Sequence, residues 1–119
     1  TPDEVGEGVK KIKELAQEYN NDIEDDHYGT LFSVCFADTA EEGERLAEPY
    51  MARRREDRHW REFSAFGTPE QVREVIDRYI EAGAAKFVIR PACAPELIQE
   101  QLEILGREVV PYYHQAASV

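Results

Sequence analysis

The chain has 119 residues and a mass of 13.7 kDa, enough for one small domain but not for an eight-stranded α/β barrel, which needs at least about 200 residues. Hydrophobic residues make up 42% and aromatic residues 10%, so the composition is not that of a disordered chain, and its apolar runs are too short to span a membrane. The net charge of −11 argues against generic nucleic-acid binding, because a polyanion repels such a surface.

Residues 2–20 read as a helix. Pro2 suits a first-turn position, and Asp3, Glu4 and Glu7 complement the positive end of the helix dipole. Val5, Val9, Ile12, Ala16 and Tyr19 form one apolar stripe at helical spacing. An acidic surface loop follows at 22–26. The segment 28–37, YGTLFSVCFA, has nearly continuous apolar positions, the pattern of a strand buried on both faces in a parallel sheet. Asp38 or Thr39 can cap the next helix, whose Ala40, Gly43, Leu46 and Ala47 make a small-residue face for close packing. Pro49 kinks or divides that helical region. A further helix is predicted over 53–63, anchored by Trp60 and Phe63.

The stretch from Phe66 is the most informative. Gly67 permits a tight turn, Thr68 and Gln71 make a capping box, and Pro69 takes the first helical position. Val72, Val75, Ile76, Tyr79 and Ile80 then form a full amphipathic stripe, and Gly83 ends the helix in a left-handed conformation. Residues 86–91, KFVIRP, read as a short buried strand that Pro91 terminates. Pro95 opens a last helix with Leu97, Ile98, Gln101, Leu102, Leu105 and Val109 at helical spacing, which Pro111 stops or kinks. Two buried strands separated by helices imply an α/β fold with a parallel sheet and a right-handed crossover.

Charge and special residues add constraints. Residues 1–26 carry nine acids and three lysines. A basic cluster of Arg53, Arg54, Arg55, Arg58 and Arg61 surrounds His59 and Trp60. Interrupted by Glu56, Asp57 and Glu62, it reads as a solvated helix face or an intersubunit ion-pair surface rather than a phosphate site. Cys35 and Cys93 lie far apart with no CxxC pattern, which points to buried thiols in a reducing, cytoplasmic compartment. His27, His59 and His114 show no metal-ligand spacing, so no metal site is expected. The acidic start TPDEVGEG has no apolar signal-peptide core and no initiator Met, and reads as a processed or truncated start.

From Phe66 to about His114 the sequence resembles the C-terminal end of the luciferase-like flavin-dependent monooxygenases, a family that includes deazaflavin-dependent oxidoreductases. The matching residues are Gly67-Thr68-Pro69-Glu70-Gln71-Val72, Tyr79-Ile80-Glu81-Ala82-Gly83, Phe87-Val88-Ile89-Arg90-Pro91, Gln101-Leu102-Glu103, Leu105 and Glu108-Val109-Val110-Pro111. The resemblance implies the last third of a (β/α)8 TIM-type barrel, with 29–37 and 86–91 as its last two strands and 69–82 and 96–109 as outer helices. In domain terms, 1–65 and 66–119 are each helix-strand-helix parts of one segment. It implies FMN or a deazaflavin coenzyme in the parent enzyme, with most of the cofactor site and the catalytic groups upstream, so the chain alone is expected to be inactive and to bind no cofactor.

Barrel active sites lie at the C-terminal ends of strands. The candidates there are Phe36, Ala37 and Asp38 after the first strand, and Arg90, Pro91 and Cys93 at the second. Arg90 is the best single candidate for cofactor contact, as a permanent cation ending an apolar strand; the alternative is an ion pair with a carboxylate such as Asp38. Asp38 reads as a helix cap before a catalytic base, and Cys93 has no neighbour that would activate it. Two broader readings stand beside each other. One is part of an oxidoreductase; the other is a non-catalytic module that associates with itself or with the missing barrel portion through unpaired strand edges.

Overall fold

The computed structural model describes residues 1–51 and 55–114; Arg53 and Arg54 lie outside the described residues. Helix α1 spans Pro2–Glu18, strand β1 Gly29–Phe36, helix α2 Ala40–Ala47, strand β2 Ala65–Gly67 and helix α3 Pro69–Glu81. Strand β3 spans Lys86–Pro91, helix α4 Ile98–Glu108 and helix α5 Val110–His114. The three strands are parallel, in the order β2-β1-β3. The expected pair of parallel strands is present, and the third strand corrects the expected count. Ala65, Phe66 and Gly67 are too short a run to show a period of two, yet they pair with Val34, Cys35 and Phe36.

Local signals placed the helices well. Thr68 Oγ1 accepts from Gln71 N–H at 3.2 Å while Gln71 Oε1 accepts from Thr68 N–H at 2.9 Å, the reciprocal box the sequence shows. Thr1 and Glu4 build the same device at the start of α1. After α3, Gly83 N–H donates to Ile80 O and Ala84 N–H to Tyr79 O, both at 3.0 Å, with Gly83 at φ +112°. That pair of bonds is a Schellman cap, which requires the left-handed residue. Pro111 kinks the C-terminal helical region into α4 and α5.

Two apolar clusters lie on opposite faces of the sheet. Phe32, Val34, Phe36 and Ala65 pack with Val72, Ile76 and Tyr79 of α3 and with Val109. Phe32 stacks on Tyr79 with ring centroids 5.3 Å apart and meets Phe87 edge-on. On the other face Cys35, Phe66, Ala92 and Cys93 pack with Ala47 of α2, and Leu46, Met51, Trp60 and Leu97 flank them. Helices α2 and α3 therefore cover opposite faces, as right-handed crossovers running in opposite directions along the sheet require. The result is an open α/β sheet of doubly wound order.

Gly43 lets α2 approach closely. A Cβ there would sit 2.7 Å from Cys35 O and 2.9 Å from Gly67 N. Gly67, at φ +117°, turns the chain from β2 into α3 where a side chain would strike Gln71.

Three expectations are corrected. Strand β1 is buried on both faces only from Phe32 onward. Strand β3 is an edge strand whose residues alternate between exposed and half-buried, not a buried one. Residues 55–63 form no α-helix; a single 3-10 turn, Trp60–Glu62, stands there, with Arg55 drawn to Glu4 of α1 and Arg61 to Glu44 of α2.

Candidate functional site

The β1–β3 register sets Arg90 beside Ser33 and Pro91 beside Val34. Strand β1 therefore runs on past the end of β3, which separates Arg90 from Phe36, Ala37 and Asp38. Beyond Val34 the β3 side of β1 has no strand neighbour, and Gln101 of α4 takes its place. Its Oε1 accepts from Phe36 N–H at 2.7 Å and its Nε2 donates to Phe36 O at 3.1 Å. Gln101 is buried, so a residue assigned to an apolar stripe acts as a one-residue strand substitute. A polar residue inside an apolar helix stripe was the available signal.

Arg90 is exposed, and its Nη2 donates to Ser33 Oγ at 3.0 Å and to the Tyr50 carbonyl at 3.2 Å. The expected alternative, an ion pair with Asp38, is not formed. Among the described residues no carboxylate lies within 4.0 Å of the Arg90 guanidinium. Two neutral oxygens fix one edge of the fork, and its other N–H groups remain available to an anion. Beside it on the same sheet face, Leu31 and Val88 are 67% and 60% exposed. A cation next to a bare apolar strip could hold a flat aromatic ring carrying an anionic group.

Asp38 is exposed and does not cap α2. Thr39 does, its Oγ1 accepting from Glu42 N–H at 3.2 Å. Cys35 and Cys93 are both buried. Burial pushes the Cys35 thiol up to about 11 and raises Cys93 as well, against the smaller lowering influence of Arg90. Both are protonated, unreactive core thiols at neutral pH.

The described members of the arginine cluster pair within the chain. Arg55 pairs with Glu4 at 2.7 Å and Asp57 at 2.6 Å, Arg58 with Glu62 at 3.2 Å and Arg61 with Glu44 at 3.1 Å. Arg55 and the N-terminal amine hold the Glu4 carboxyl well below the usual carboxylate range. His59 accepts from Arg61 N–H through Nδ1 at 3.2 Å and packs on Trp60, a turn-capping role. One grouping was not legible in the sequence: Glu24, Asp26 and His27 bring their ligand atoms within 4.8 Å of one another in an exposed 3-10 turn. The spacing is neither a helical nor a strand ligand pattern.

No family model, no curated protein and no solved structure matches the chain.

Proposed function

We propose that this chain forms part of a luciferase-like oxidoreductase that uses reduced flavin or a deazaflavin coenzyme, and that it contributes one wall of the cofactor site and no complete active site. The observation that carries the reading is Arg90, held by Ser33 and the Tyr50 carbonyl with no carboxylate partner among the described residues, beside the exposed Leu31 and Val88. The residue series from Gly67 to Pro111 supports it, since its capped helix, parallel strand and last helix follow the family's order. When bound, the cofactor would supply hydride transfer or oxygen activation at its ring. Arg90 would hold an anionic group, and the apolar strip would exclude water from one ring face.

Consecutive strands are neighbours in a closed barrel. With β1 and β3 as the last two strands, their parallel pairing is the neighbour relation the reading needs; β2 holds the other edge of β1, so the reading requires β2 to yield that edge to the preceding barrel strand when it is present. The test is cofactor titration of the 119-residue chain and of the longer product of the same reading frame. The short chain is expected to bind neither FMN nor deazaflavin tightly, whereas the longer product binds one of them. Arg90→Ala should weaken that binding by about 10- to 100-fold, the worth of a charge-assisted hydrogen bond. Unchanged affinity in the Arg90→Ala variant, or submicromolar binding to the short chain, overturns the proposal.

A second reading, an associating module, rests on the 67% and 60% exposure of Leu31 and Val88 on a half-covered sheet face. Light scattering at micromolar concentration tests it; a well-behaved monomer counts against it.

A further inference from the structure

Among the described residues, the outer edge of β3 lies open along its length. The ladder to β1 begins with Lys86 N–H donating to Tyr28 O at 3.1 Å and ends with Ala92 N–H donating to Val34 O at 2.8 Å. The alternation of a parallel strand then turns the backbone groups of Lys86, Val88 and Arg90 toward β1 and those of Phe87 and Ile89 outward. Neither outward N–H has a partner among the described residues. On one side this edge borders a groove of about 740 Å³, walled by Ile76 and Ile80 of α3 and by Val109, Val110 and Tyr113. Among the described residues no carboxylate lines that groove, although the chain holds 25 acids. On the opposite sheet face Lys86 and Arg90 stand at the two ends of the edge, about 13 Å apart by strand rise, with exposed Val88 between them. Neither makes an ion pair among the described residues.

We propose that the β3 edge takes up an extended protein segment of the pattern acid–apolar–any–apolar–acid. The segment's backbone completes the bonds of Phe87 and Ile89. Its two apolar side chains enter the groove, and its two acids meet Lys86 and Arg90 across the strands. Charge decides the occupant. Two copies of β3 paired antiparallel about Val88 set Lys86 against Arg90, a repulsive cross-strand contact. Pro91 has no N–H to offer and ends the receptive stretch. The cationic ends therefore disfavour that self-pairing and favour an acid-flanked strand. The inference does not rest on the cofactor reading, and its test contains no cofactor.

The probe is a fluorescently labelled peptide containing EVTVE, compared with its KVTVK counterpart on the 119-residue chain. Anisotropy should show the acidic peptide binding at least about tenfold more tightly, from two attractive ion pairs replacing two repulsive ones, and the preference should shrink with added salt. Lys86→Glu, an exposed substitution, should remove most of that preference. Amide hydrogen exchange should slow at Phe87 and Ile89 on binding, while Lys86, Val88 and Arg90, already bonded to β1, change little. Equal binding of the two peptides, no binding of either, or unchanged exchange at Phe87 and Ile89 refutes the proposal. So does protection of those two amides in the peptide-free protein with a dimeric mass, which would make a second copy the occupant.

Discussion

Gln101 holds the end of β1 from which Ala37 and Asp38 emerge, and replacing it with leucine isolates what that contact contributes. Gln101→Leu keeps side-chain volume but removes both bonds to Phe36, whose N–H and C=O then stay buried without partners. Each such group costs about 1–3 kcal/mol, and the added apolar burial offsets about 1 kcal/mol. The net loss should be about 2–4 kcal/mol, which for a domain of this size lowers Tm by roughly 10 °C. Denaturant unfolding followed by circular dichroism, with an unchanged m-value, measures it. Gln101→Glu adds a pH dependence. Its carboxylate can accept from Phe36 N–H but meets Phe36 O with a second acceptor, whereas the protonated acid restores the donor. The pKa of that glutamate in the folded state must therefore lie above the unfolded value of about 4.3. Its stabilising bond is fully present below that unfolded value and is lost as pH rises through the folded one. The gap between Gln101→Glu and the parent should be small near pH 4 and wide at pH 8. A Gln101→Leu variant within about 0.5 kcal/mol of the parent, the usual range of surface substitutions, or a pH-independent gap for Gln101→Glu refutes the reasoning.

Gly43→Ala should cost about 2–4 kcal/mol, because the new methyl meets Cys35 O at 2.7 Å and both are backbone-fixed. Gly8→Ala and Gly106→Ala, with nothing within 4 Å of the new methyl, should stabilise by about 0.5–1 kcal/mol, and thermal melts that rank the three otherwise discard the packing argument. Cys35, with its thiol at about 11, and Cys93 should resist a thiol-labelling reagent in the native protein at pH 7.5 and react once urea unfolds it. Fast native labelling would show an accessible thiolate. Glu4, whose folded carboxyl lies below its unfolded value, adds stability that is present above the unfolded pKa and lost as pH falls through the folded one. Glu4→Gln should flatten the acid limb of the stability profile, and superimposable acid limbs for parent and variant would remove the Arg55–Glu4 pair from the account.

The sequence alone determined what adjacent residues settle among themselves. Thr68, Pro69 and Gln71 fix the start of α3, and Gly83 fixes its end, because each cap is made between groups a few residues apart. The runs at 29–36 and 86–91 declare themselves as strands through dense apolar and β-branched residues. What depended on distant partners was decided only in three dimensions. Strand β2 is three residues long and exists because β1 offers it an edge. The order β2-β1-β3 makes β3 an edge strand, which leaves Val88 exposed although its sequence reads as core. Arg90 meets Ser33 and not Asp38 because the register staggers the two strand ends. Gln101 finds Phe36 across 65 residues of chain, and Arg55 finds Glu4 across 51. Propensity and spacing act within a turn or a strand, whereas register, edge exposure and the pairing of buried polar groups are fixed by which elements pack together.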